Sequence, residues 1–268
     1  MNYPYPKKIF VTGGAGYIGS HTCLELLKAN NKVLVFDNLC NSSLVALEKL
    51  QSIVNKKLEF VEGDIRNKQK LDNTMSEFRP DIVVHLAGLK SVSESINNPL
   101  EYYDVNVTGS LNLLSAMNGV KCQKIIYSSS ATVYGEAEYL PYDENHPVSP
   151  SNPYSWSKLI FERILMDWVR SKCDNRAVSL RYFNPVGAHE SGLIGEDPQN
   201  SPNNIMPRIA QVALGVNKKI KIYGDNYSTR DGTCERDYIH VVDLAEGHLH
   251  AVEKISELLP FQALNLGT

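Results

Sequence analysis

Short apolar runs recur along the chain, with longer stretches of mixed polarity between them. Ile9-Phe10-Val11, Val33-Leu34-Val35-Phe36, Leu58-Glu59-Phe60-Val61, Ile82-Val83-Val84-His85-Leu86, Ile125-Ile126-Tyr127 and Val178-Ser179-Leu180-Arg181-Tyr182 predict six strands. Most show no alternation of polar and apolar positions, which suits strands covered on both faces, as in a parallel sheet. Between them, residues 18–29, 67–78, 100–117 and 155–170 predict helices. Repeated β-α-β order of this kind predicts an α/β fold, a doubly wound parallel sheet with helices on both faces. After Tyr182 proline and asparagine become frequent and the elements shorten. That change of texture predicts a smaller C-terminal lobe over the carboxyl ends of the strands.

Composition narrows the function. The 268 residues are 43% hydrophobic and 21% charged, with a net charge of −3, so a globular protein is expected and the basic footprint of a nucleic-acid binder is missing. The longest like-charge runs include Lys7-Lys8 and Lys56-Lys57, which read as solvated strand or turn ends. Cysteines at positions 23, 40, 122, 173 and 234 are odd in number and scattered, which predicts reduced thiols, a cytoplasmic location and neither disulfide frame nor zinc site. Met1 to Pro6 carries no apolar signal core, and no run is long enough to span a bilayer, so no membrane partner is expected. His248 and His250 stand two apart on a helical stretch and point to different faces; no metal is assigned.

Candidate chemistry begins at the first strand's end. Thr12-Gly13-Gly14-Ala15-Gly16-Tyr17-Ile18-Gly19 satisfies both G-x-x-G-x-x-G and G-x-G-x-x-G. Such a turn lets the backbone approach a pyrophosphate while the following helix offers free N–H groups. Asp37 ends the second strand about twenty residues on, where a carboxylate binds a ribose 2′-hydroxyl and repels a 2′-phosphate, so NAD is expected rather than NADP. The fold class becomes a Rossmann-type doubly wound sheet. Asp64-Ile65 and Ala87-Gly88 occupy the next two strand ends.

A second set follows. The fifth strand runs into Ser128-Ser129-Ser130, and Tyr154-Ser155-Trp156-Ser157-Lys158 opens the next helix. Residues i and i+4 share a helix face, so Lys158 is expected beside the Tyr154 phenol. Free tyrosine is a poor base at neutrality, and a nearby ammonium should draw its pKa down. Ser130 is expected to hydrogen-bond the phenol and a substrate hydroxyl.

These motifs resemble the extended short-chain dehydrogenase/reductase family. Longer stretches, Gly13 to Thr22, Asp37 to Ser42, His85 to Val92, Leu180 to His189, Pro202-Asn203-Asn204 and Arg236 to Val241, are similar to its UDP-glucose 4-epimerase branch. The resemblance covers the whole chain. It implies NAD contacts at Gly13, Gly16, Tyr17, Ile18, Gly19, Asp37, Asn38, Asp64, Ile65, Leu86, Ala87, Lys90, Asn106, Ser130, Tyr154, Lys158 and Phe183. It makes Ser130, Tyr154 and Lys158 catalytic, and gives Lys90, Ser130, Tyr154, Asn184, Asn204 and Arg236 to a UDP-sugar. The implied activity is interconversion of UDP-galactose and UDP-glucose, by a homodimer built on the helices around 100–117 and 154–170. Leu159, Phe161, Ile164 and Leu165 suit either a core face or that seam. The implied division is an NAD-binding domain over 1–181 and a partial nucleotide-sugar lobe over 182–268, interleaved with it.

Several positions depart from the branch. Trp156 replaces a smaller residue, with an expected effect on helix packing, and Cys234-Glu235 puts a carboxylate beside Arg236. Relatives continue for several dozen residues past a strand like Leu264-Asn265-Leu266, so the substrate lobe is expected to be partial, lacking a further phosphate-binding arginine, a ribose-contacting carboxylate and the residue that gates N-acetylated sugars. Two other readings stand beside the epimerase. A nucleotide-sugar dehydratase would carry an Asp-Glu pair just after Ser130, where Ala131 and Thr132 stand. A non-catalytic NAD-binding remnant would fold without closing on substrate.

Overall fold

The computed structural model describes residues 6–198 and 204–268. Met1 to Tyr5, and Pro202-Asn203 of the motif quoted above, lie outside the described residues. Strands β1 (Lys8–Thr12), β2 (Lys32–Asp37), β3 (Glu59–Glu62), β4 (Ile82–His85), β5 (Lys124–Ser130) and β6 (Arg176–Tyr182) alternate with helices α1 (Tyr17–Lys28), α2 (Leu44–Val54), α3 (Lys68–Phe78), α4 (Val92–Asn97), α5 (Pro99–Tyr103), α6 (Ser110–Gly119) and α7 (Pro153–Ser171). Strand β7 (Asn184–Val186), helix α8 (Ile205–Ala213), strand β8 (Tyr238–His240), helix α9 (Val241–Lys254) and strand β9 (Phe261–Leu266) complete it.

Seven strands form one sheet in the order β3-β2-β1-β4-β5-β6-β9, and every pairing is parallel. Burial on both faces explains the unbroken apolar runs. Ile9, Val11, Val84 and Ile126 pack with Leu24, Leu27 and Leu244 on one side of the sheet. Phe10, Val83, Ile125 and Tyr127 pack with Leu113, Met117 and Phe161 on the other. Each such aliphatic or aromatic side chain contributes roughly 1.5–3 kcal/mol when fully buried.

The sheet reverses its winding between β1 and β4, whose neighbours run off in opposite directions. Ligands of open α/β sheets bind at the carboxyl ends of such a switch point. The region after Tyr182 does not all stand over those ends. β9 pairs with β6 as the seventh strand and α9 packs against α1, while β7 and β8 form a separate parallel pair.

Two expectations are corrected. The 100–117 stretch is not one α-helix: a π-helical turn, Asp104–Gly109, interrupts it between α5 and α6. The lysine pairs are not merely solvated. Lys8 Nζ donates to Phe78 O (3.1 Å), Lys7 Nζ to Val252 O (3.0 Å) and Lys56 Nζ to Leu27 O (2.7 Å). Each ammonium therefore satisfies a carbonyl near a helix C-terminus, where the helix dipole favours positive charge.

Candidate active site

A cavity of about 1450 Å³ opens at the switch point, and every sequence-predicted site residue except Asn106 lines it. Single-ligand pockets run to roughly 300–1,000 Å³, so this space suits two ligands side by side.

The glycine turn forms one wall. Gly13 has φ +71°, and an added Cβ would come within 2.6 Å of Ala87 N, so the fold itself demands glycine there. Gly16 is different. A Cβ on it would meet only Gly13 O at 3.4 Å, and the residue faces the cavity. No protein atom requires glycine at Gly16, whereas a ligand approaching the backbone would. Asp37 is buried at the end of β2 and ties the turn down: Oδ2 accepts from Ala15 N (3.0 Å), and Oδ1 from Leu39 N (2.9 Å) and Ser42 Oγ (2.9 Å). Asp64 accepts from Arg66 Nε (3.0 Å) and NH2 (2.8 Å) and from Asn38 Nδ2 (3.0 Å). The Arg66 guanidinium holds its carboxyl at about 2, so Asp64 acts as a fixed charge at the cavity wall.

Below β4 a buried chain of hydrogen bonds has one direction. Ser110 Oγ donates to Asn106 O (2.6 Å), so it accepts from His85 Nε2 (2.8 Å). Burial pushes the His85 pKa down to about 3, with the nearby Lys158 ammonium adding to the effect, so the ring is neutral. Its Nδ1 then accepts from Thr12 Oγ1 (2.7 Å), which accepts from Ala87 N (3.3 Å). The β1–β4 register places Thr12 opposite His85, and the chain locks the two strand ends that carry Gly13 and Ala87. Neither Thr12 nor His85 was singled out in the sequence; their shared position at strand ends was the available signal.

Asn106 sits beneath this wall and departs from the expectation of direct ligand contact. Its Oδ1 accepts from Leu89 N (2.8 Å), and its Nδ2 donates to Leu89 O (3.0 Å) and Ser157 Oγ (2.9 Å). The amide is spent on protein partners and braces the loop that carries Lys90.

Helix α7 brings the second set. Asn152 caps it by accepting from Ser155 N (3.0 Å), and Pro153 takes the first helical position, which starts the helix one residue before Tyr154. Ser130 (7% exposed), Tyr154 (9%) and Lys158 (5%) meet at the cavity floor. Lys158 Nζ donates to Ser128 O (2.8 Å) and lies 5.8 Å from the centre of the Tyr154 ring. Burial raises the Tyr154 pKa, against the hydrogen bond from Ser130, which lowers it. Burial likewise brings Lys158 down to about 8, opposed by the Glu162 carboxylate. The phenol therefore stands above its ordinary value rather than below it, because loss of solvation outweighs the Ser130 hydrogen bond. Tyr182, also at the cavity, donates its hydroxyl to the buried His248 Nε2, since His248 Nδ1 donates to Leu244 O (2.9 Å). His248 is thus a core histidine, and the described residues hold no cluster suited to a metal.

Opposite the glycine turn, pairing of β7 with β8 sets Asn184 beside Asp237, whose carbonyl accepts from Asn184 Nδ2 (2.7 Å). Arg236 precedes this strand and donates to the backbone carbonyl of Glu235 (2.7 Å). Glu196, which no motif or spacing singled out, accepts from both Lys90 Nζ (3.4 Å) and Asn204 Nδ2. Trp156 is 45% exposed, on the outer side of α7. All five cysteines are free thiols.

Residues 9–267 match the model of the NAD dependent epimerase/dehydratase family. The chain belongs to this family. It is 50% identical over 260 residues to a UDP-glucose 4-epimerase of Bacillus subtilis (strain 168), covering 97% of this chain and 77% of that protein. Its fold is similar, with a TM-score of 0.94 and 47% identity, to the UDP-glucose 4-epimerase of Bifidobacterium longum solved with NAD+ and UDP, over 97% of this chain and 78% of that one. A UDP-glucose 4-epimerase from Stenotrophomonas maltophila, with bound NAD and formylated UDP-arabinopyranose, is similar at a TM-score of 0.94 and 45% identity, over 98% and 78%.

Proposed function

We propose that this chain interconverts UDP-galactose and UDP-glucose by oxidation and re-reduction at C4 of the sugar, with NAD as its resident cofactor. The carrying observation is one cavity that holds Ser130, Tyr154 and Lys158 between a glycine turn with Asp37 on one side and Asn184, Asn204 and Arg236 on the other. Gly16, open to the cavity and unconstrained by protein, supports a pyrophosphate lying against the turn. Asp37 would take the adenosine ribose and disfavour a 2′-phosphate, with Tyr17, Ile18, Asn38, Asp64 and Ile65 along the same wall. Gly13, Gly19, Leu86, Ala87, Lys90 and Phe183 complete that set.

When bound, NAD supplies the hydride acceptor and donor for C4 and a positive charge beside the phenol. Tyr154 Oη takes the proton of the sugar 4-hydroxyl as C4 is oxidised, and returns it to the 4-oxygen as C4 is reduced on its other face. Ser130 hydrogen-bonds the phenol, and the Lys158 ammonium, 5.8 Å from the ring centre, would favour its ionised form. Arg236 pairs with diphosphate oxygens, for which a planar guanidinium is suited, and Asn184 and Asn204 hold the nucleotide sugar. Anchoring the substrate there leaves the sugar free to turn over between the two half-reactions. Ala131 and Thr132 provide no acid or base to expel a 6-hydroxyl, which disfavours a dehydratase.

No helix among the described residues is long and apolar enough to cross a membrane. The reading includes a cytoplasmic location, supported by the free thiols, and a homodimer. Phe161 and Leu165 belong to the core, so the seam would use instead the exposed Ile96 (62%), Leu100 (82%), Leu111 (45%) and Trp156.

The test is conversion of UDP-galactose to UDP-glucose by the 268-residue chain, purified without added NAD and read through a coupled UDP-glucose dehydrogenase. Conversion is expected, falling by about 10²–10⁴ in Tyr154→Phe. Absence of conversion, with NAD still released on denaturation, would replace this reading by that of a non-catalytic NAD-binding remnant.

A further inference from the structure

One helical turn beyond Lys158, on the same face of α7, lies a carboxylate almost closed off from solvent. The Glu162 side chain is 3% exposed, and its partner Arg181 is 8% exposed. Glu162 Oε2 accepts from Arg181 NH2 (2.7 Å), and Oε1 accepts from Arg181 Nε (3.1 Å) and Ser129 Oγ (2.5 Å). Arg181 NH1 donates to Tyr134 OH (2.9 Å), which donates to Asn265 Oδ1 (2.6 Å). Strand register makes this a row across the sheet, because Ser129 pairs with Arg181 and Arg181 with Asn265. The next row toward the cavity is Ser130, Tyr182 and Leu266.

The cluster thus ties α7, β5, β6 and β9 together one residue beneath the catalytic serine. A buried ion pair is weak evidence for stability, since desolvation offsets much of the attraction. Its site next to the catalytic set calls for another account. Lys158 is surrounded by few charges. His85 faces it from β4 and is neutral; Tyr127 lies under it from β5, ring centre 5.1 Å from Nζ; Tyr182 and Arg181 come from β6; Tyr154 and Glu162 share its own helix. Both Tyr127 and Tyr182 titrate well above the ordinary phenol range because of burial, so they stay neutral. Glu162 is the anion of this group.

We propose that Glu162 is a positioning residue for the reaction: it clamps the catalytic face of α7 to the ends of β5 and β6 and supplies the counter-charge that keeps Lys158 an ammonium. The proposal rests on the epimerase reading only in taking Lys158 as a member of the catalytic set. Arg181 offsets the Glu162 charge only in part: Glu162 stands on the helix of Lys158, one turn on, while the guanidinium turns its NH1 away to Tyr134.

The decisive measurement is the ionisation of Lys158 itself, followed by carbon NMR on protein labelled at the lysine ε-carbon, with the resonance identified by Lys158→Arg. In Glu162→Gln the midpoint is expected to fall from about 8 by roughly one pH unit. The alkaline limb of kcat should move down in step, giving about a tenfold loss above the new midpoint, with KM little changed. Glu162→Gln strands Arg181, and an unpaired buried charge destabilises the fold; the double variant Glu162→Met/Arg181→Met leaves no orphan charge and keeps the question open to test. It is expected to melt near the wild-type temperature and to show a midpoint lowered by less than in Glu162→Gln. An unmoved Lys158 midpoint in either folded variant overturns the proposal. Because the NMR readout needs no turnover, a chain that fails to convert UDP-galactose but shows the shift would sink the epimerase reading and spare this one.

Discussion

Gly13 and Gly16 share one turn and one motif, yet they answer to different neighbours. Alanine at Gly13 would have to hold φ +71° and press on the Ala87 backbone, which costs on the order of 1–3 kcal/mol before any repacking. Gly13→Ala is therefore expected to lower the melting temperature. Gly16→Ala is expected to melt like the wild type but to carry at least tenfold less NAD through purification, measured as dinucleotide released by acid. Full NAD content in Gly16→Ala would remove the pyrophosphate from this wall. The spacing of the glycines was legible in the sequence, but the reason for each was not, because Ala87 reaches Gly13 only after β1 and β4 pair. Asn106 teaches the same lesson. Residues quoted as ligand contacts and residues that brace them look alike until the partners of their amide groups are known.

At the scale of elements, periodicity identified the strands and the main helices, since burial of both sheet faces leaves unbroken apolar runs. It failed where hydrogen bonding changes without a change in polarity. The π-helical turn at Asp104–Gly109 keeps a helical apolar pattern while shifting register by one residue, and it is this turn that carries Asn106 under Leu89. Apolar content on α7 was equally ambiguous: Phe161 and Leu165 went to the core. The face left exposed is that of α4, α5 and α6 with Trp156, and α4 and α5 both pack on α7. Light scattering at micromolar concentration is expected to give a dimer mass for the wild type, and a monomer mass for Leu100→Glu. A monomeric wild type would refute the dimer.

For the whole molecule, three buried histidines whose charged form burial disfavours, His21, His85 and His248, set its response to acid. Burial pushes His85 to about 3 and His248 to about 4, from an ordinary value of 6.5. Unfolded chains bind these protons below pH 6.5 and the native state does not, so stability is full above 6.5 and is lost as pH falls toward 4. The slope approaches roughly 1.4 kcal/mol per pH unit for each histidine. Asp64, held at about 2, contributes only below its ordinary value of 3.8 and leaves that window clear. Urea midpoints should therefore fall between pH 6.5 and 4.5, and a flat profile would contradict neutral burial of these rings.

The sequence by itself determined the α/β class, the glycine turn with Asp37, and the pairing of Tyr154 with Lys158, because these depend on local spacing: strand to turn to helix, and one turn of helix. Tertiary structure alone decided how the charges behave. Burial of Tyr154 and Lys158, the Glu162–Arg181 pair beneath them and the Glu196 carboxylate between Lys90 and Asn204 all arise from residues far apart in the chain. Solvation and pairing are set by what surrounds a group in space, and no spacing along the chain encodes that.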